Sequence, residues 1–111
     1  MDSNFEEENL LQRLGISFDN SEDRKVVFAG INALAKAFRV SPDAINGDDV
    51  LFKTIKSPFL SEVNALDIVL SVEEAMGRFA PTDSNRTLTD IYLVRVGDWL
   101  IRLVEAFRMV R

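Results

Sequence analysis

Enzymes need side chains that attack, shuttle protons or hold metal, and this chain of 111 residues has few of them. It contains no cysteine and no histidine. That removes thiolate nucleophiles, disulfides and Cys-based metal sites, together with the usual general base and the commonest metal ligand. Carboxylates remain, and a pair of them can do acid–base work. Here the pairs Asp48-Asp49 and Glu73-Glu74 are adjacent in sequence, the Asp pair fits no calcium loop, and nothing marks a nucleophile. The chain is therefore read as a non-enzyme, with no catalytic residue and no metal site expected.

A second pattern is polar without being catalytic. Asn64, Asp67, Ser71 and Glu74 fall at intervals of three, four and three, so they share one face of a helix. With Glu62 they make an anionic surface that could steer a basic patch on a protein partner. A solvated face on a core helix is the plainer account of the same spacing. The helix itself is expected to start at Ser61, whose side-chain oxygen can cap a backbone N–H, and to stop at Gly77. Val63, Leu66, Val69, Leu70 and Met76 give it an apolar stripe.

Other elements must hold that helix in place. Ser3 and Glu6 form a capping box before Phe5, Leu10, Leu11 and Leu14, predicting an N-terminal helix over 4–14 that Gly15 closes. The next helix, from about Asn20 to Val40, is apolar nearly all round, with Asn32, Lys36 and Arg39 as a narrow wet strip. It is expected to be buried on several sides. Its small residues Ala29, Gly30, Ala33 and Ala37 suit tight packing better than a cofactor pocket. Ser41-Pro42 starts a short turn that Asn46-Gly47 breaks, after which Leu51, Phe52 and Ile55 anchor a long loop. Thr87 or Thr89 could cap a short helix carrying Leu88, Ile91, Tyr92 and Val94. A last helix puts Val96, Trp99, Leu100, Leu103, Phe107 and Val110 on one face. Arg95, Arg102, Arg108 and Arg111 lie on the other, partly explained by the negative helix C-terminus.

Three of these stretches also carry a family resemblance. Val40-Ser41-Pro42-Asp43-Ala44-Ile45 with Leu51-Phe52 and Ile55 resembles the first helix exit and first loop of acyl carrier proteins. Ala65-Leu66-Asp67-Ile68-Val69, with Val72-Glu73-Glu74, resembles their second helix, and Val96-Gly97-Asp98-Trp99-Leu100 resembles the start of their last one. The likeness runs in order from about residue 24 to 107. It implies an all-α, acyl-carrier-protein-like four-helix bundle at 20–111, with the extra N-terminal helix as an extension at 1–19.

The family's attachment signature, Gly-x-Asp-Ser-Leu, is absent. Counted forward from Phe52, its serine position falls on Phe59; counted back from Ala65, it falls on Glu62. The expectation is therefore a carrier-like fold acting as an interaction module, with no cofactor, through Glu62, Asn64, Asp67, Ser71 and Glu74. By resemblance the partner is an enzyme or synthase of acyl metabolism bearing a basic patch. The alternative is a working acyl or peptidyl carrier with 4'-phosphopantetheine on the shifted Ser61.

Composition fits one small soluble domain, 47% hydrophobic and 28% charged. A net charge of -5 argues against nucleic acid, whose phosphates call for a basic face. The start of the chain is acidic and no apolar run approaches membrane-spanning length, so a cytoplasmic protein without membrane contact is expected. Asn85-Arg86-Thr87 matches the glycosylation pattern, taken as chance without a secretory signal.

Overall fold

The first two helices start at a capping side chain, and the three longer helices each bury an apolar face. The computed structural model describes residues 20–55, 63–81 and 84–109, and the expected helix over 4–14 lies outside them. Helix α1 spans Ser21–Phe38. Asn20 Oδ1 accepts from the Glu22 N–H at 2.7 Å, and Glu22 and Asp23 sit at the positive helix end. Arg39 ends the helix in the left-handed region, with φ 57°. Ser41 then caps a single 3-10 turn, Pro42–Ala44, as its Ser-Pro start predicts.

Helix α2 spans Ala65–Met76 and begins later than expected. Its cap is Asn64, whose Oδ1 accepts from the Leu66 N–H at 2.9 Å, and not Ser61. Gly77 ends it as expected, at φ 72°, with its N–H on the Glu73 carbonyl at 2.9 Å. Helix α3, Asn85–Thr89, follows Ser84 and uses neither Thr87 nor Thr89 as a cap. The Ser84 hydroxyl turns back to the Pro81 carbonyl at 2.6 Å. Helix α4 spans Val96–Arg108. The chain is thus all-α, with four α-helices and no β-strand among the described residues.

α1 packs on both α2 and α4, and α3 bridges α2 and α4. The approach of α1 to α4 is set by Gly30, where an added Cβ would stand 2.8 Å from the Leu100 and Leu103 methyls. Trp99, Phe38 and Phe107 are wholly buried, as their stripes predict. Trp99 Nε1 donates to the Leu88 carbonyl at 2.9 Å, fixing α3 against α4. Leu88 and Ile91 enter the core, but Tyr92 stays out, past the end of the short helix.

Three arginines of the α4 region are tied down one by one, while Val110 and Arg111 lie outside the described residues. Arg108 meets the buried Asp23 carboxylate at 2.6 Å, clamping the end of α4 to the start of α1. The hydrogen bond to Asp23, and then its charge, hold the Arg108 guanidinium above its ordinary pKa. Arg95 pairs with Asp48 at 2.6 Å, and Arg102 donates to the Asp90 carbonyl at 3.4 Å.

The long loop after the 3-10 turn is pinned by Ile45, Leu51 and Ile55, all buried. Its backbone is also stitched to the chain before α4. Leu51 N–H donates to Val94 O at 3.0 Å, Leu93 N–H to Leu51 O at 3.1 Å, and Val96 N–H to Asp49 O at 2.9 Å. Phe52 is only half-buried; it takes φ 69° and lies between Phe38, which it meets edge to face, and Tyr92, to which it is tilted, with ring centroids at 5.1 and 5.5 Å.

Candidate functional site

The polar spacing on α2 does produce one surface. Asn64, Asp67 and Glu74 are exposed and Ser71 is half-buried beside them. Two of the four are engaged within the helix: Asn64 caps it, and the Ser71 hydroxyl donates to the Asp67 carbonyl at 2.9 Å. The carboxylates of Asp67 and Glu74 are left as the surface's charges. Glu62 and Ser61, the other expected site residues, lie outside the described residues.

α1 supplies what the spacing alone does not show. A groove of about 430 Å³ runs along the α1–α2 seam, with Lys36, Arg39, Ala33 and Ala37 on one wall and the four α2 residues with Ile68 and Leu70 on the other. The anionic face therefore borders a basic one. The wet strip Asn32, Lys36 and Arg39 on an otherwise apolar helix was the available signal. Further along the seam, Lys25, Phe28, Ala29 and Asn32 face Ala75 and Met76 across a second hollow of about 490 Å³.

Leu66 and Leu70 correct the expected apolar stripe. They are 48% and 46% exposed, while Ile68, Val69 and Val72 face the core. Two leucines one turn apart, next to Asp67 and Glu74, put exposed apolar area beside the charges.

Three of the four paired carboxylates hold the structure together, Glu74 being the one exposed on the α2 surface. Glu73 is buried, and its Oε2 accepts from the Ala80 N–H at 2.8 Å, fixing the exit from α2. Asp49 Oδ2 accepts from the Asn46 N–H at 2.7 Å, and Asp48 holds Arg95. No group of three or more acidic residues among the described residues is arranged to hold a metal ion. No described helix is long and apolar enough to cross a membrane.

No protein-family model, curated protein or solved structure matches the chain. The surface must be read from its own chemistry. Its exposed leucines can bury apolar area, and Asp67 and Glu74 can meet cations.

Proposed function

We propose that the chain is a non-catalytic docking module, built on an acyl-carrier-like bundle, that binds a protein surface with basic residues through α2. The observation that carries this reading is the convergence of exposed Leu66 and Leu70 with Asp67 and Glu74 on one side of a helix that the core holds rigidly. Glu62, Asn64 and Ser71 complete the surface in sequence. The carrier-like part rests on the order of the elements: a Ser-Pro turn after the first long helix, an acidic second helix, and a last helix opening at Val96-Gly97-Asp98.

The start of α2 favours docking over carrying. Residues 64–67 are Asn-Ala-Leu-Asp, with no hydroxyl in the cap or first turn to take a phosphopantetheine arm. Ser71, one turn further on, is bonded to the Asp67 carbonyl. The in-order likeness to carriers supports the second reading, in which 4'-phosphopantetheine sits on Ser61.

The docking reading is tested with a fluorescent amphipathic helical peptide bearing lysines along one face. Anisotropy should report binding that weakens with salt and falls at least about tenfold in an Asp67→Lys, Glu74→Lys variant. Binding unchanged by that double reversal would contradict it.

A further inference from the structure

Lys25, Lys36, Asp67 and Glu74 are all exposed, and none takes part in an ion pair among the described residues. Their positions along the α1–α2 seam are in register. The two helices run antiparallel, with Glu22 and Arg78 paired at 2.8 Å at one end. At the other end Lys36 and Arg39 border the same groove as Asn64 and Asp67. Glu74 lines the end of that groove towards the middle of the seam, and Lys25 borders Ala75, the neighbour of Glu74 in sequence, in the hollow nearer the first end. At both levels a lysine stands on the α1 side and a carboxylate on the α2 side.

We infer that this face docks a second copy of the chain, about a two-fold axis running along the seam. The inference rests on the reading of α2 as a docking surface and names the partner: the basic patch that α2 meets is α1 of another copy. Rotation about that axis lays α1 of each copy over α2 of the other at the same level. Lys36 then meets Asp67 and Lys25 meets Glu74, and the symmetry repeats each pairing. A two-fold running across the seam would instead set lysines against lysines and carboxylates against carboxylates. Charge thus selects one orientation.

Shape agrees at the midpoint. Between Lys25 and Lys36, α1 carries the small residues Ala29, Asn32 and Ala33. Between Asp67 and Glu74, α2 carries Leu70, 46% exposed. In this orientation Leu70 of each copy lies over the small residues of the other, burying an apolar side chain that the monomer leaves wet. One face of two helices is small beside the roughly 800 Å² per partner of a standard interface, so the dimer is expected only at high micromolar concentration.

Sedimentation equilibrium on the full chain tests this. The wild type should dimerise at high micromolar concentration and dissociate as salt rises. Lys25→Glu with Lys36→Glu should weaken self-association by at least about tenfold, and so should Asp67→Lys with Glu74→Lys. Circular dichroism matching the wild type confirms that each variant folds. Mixing the two variants should restore the dimer, because each reversed face then meets its complement. A wild type that stays monomeric, or a mixture that stays monomeric while the wild type dimerises, overturns the inference. A monomeric wild type that still binds the lysine peptide defeats self-docking alone. A salt-sensitive wild-type dimer, whose monomeric Lys25→Glu, Lys36→Glu variant ignores the peptide, supports self-docking and defeats the broader docking reading.

Discussion

Trp99 does two jobs at once: it fills the centre of the core and, through Nε1, holds the carbonyl of Leu88. The two can be separated. Trp99→Phe keeps most of the volume and should cost about 1–3 kcal/mol, much of it from the buried carbonyl losing its donor. Trp99→Ala adds a cavity and should cost about 3–5 kcal/mol. Urea unfolding measures both, and a near-neutral Trp99→Phe would show that the hydrogen bond contributes nothing. Gly30 poses the opposite problem. Alanine would favour the helix by up to about 1 kcal/mol, but its Cβ would press on Leu100, Leu103 and Trp99, an overpacking worth about 1–3 kcal/mol. Gly30→Ala should therefore destabilise, by about 1 kcal/mol, and a more stable variant would mean that the leucines yield easily. Both residues were legible as core positions from helical spacing. The closeness of Gly30 to α4 was not, because a one-helix pattern does not say which helix comes near.

At the scale of elements, most departures from expectation lie at helix ends. The cap of α2 was expected at Ser61, but Asn64 is as good a cap by type and the structure takes it. Asn64→Ala should cost about 1 kcal/mol in urea unfolding, while Asn64→Asp should be nearly neutral because aspartate caps as well. A neutral Asn64→Ala would return the cap to an earlier residue. The apolar stripe of α2 was misread because Leu66 and Leu70 look like core residues by type, whereas the turn that packs is Ile68, Val69 and Val72. Arg108 was assigned to the helix dipole, and its partner Asp23, 85 residues away in sequence, could not be read from spacing. With its pKa raised by that bond, Arg108 contributes fully at neutral pH, and its share is lost only in strong alkali. Arg108→Gln should lower the unfolding midpoint at neutral pH, and an unchanged midpoint would mark the clamp as ornamental.

Across the whole molecule, the all-α class was legible because several capped, periodic segments appear without any alternating strand pattern. The stitching of the loop at 49–51 to 93–96 was not, since it runs through backbone groups that every residue carries. The proposed docking surface was half legible. Spacing identified the acidic side on α2, but its basic border comes from α1 and exists only when the two helices pack. Net charge of -5 leaves this local patchwork in an acidic field, so docking of any basic surface should weaken as salt rises. The most direct measurement on the central claim, a docking module on a carrier-like bundle without carrier chemistry, is the intact mass after incubation with coenzyme A and a broad phosphopantetheinyl transferase. Under conditions that fully load a known carrier, the mass should stay that of the unmodified chain. A gain of one phosphopantetheine arm on the wild type, lost in Ser61→Ala, would contradict the account and make the protein a carrier.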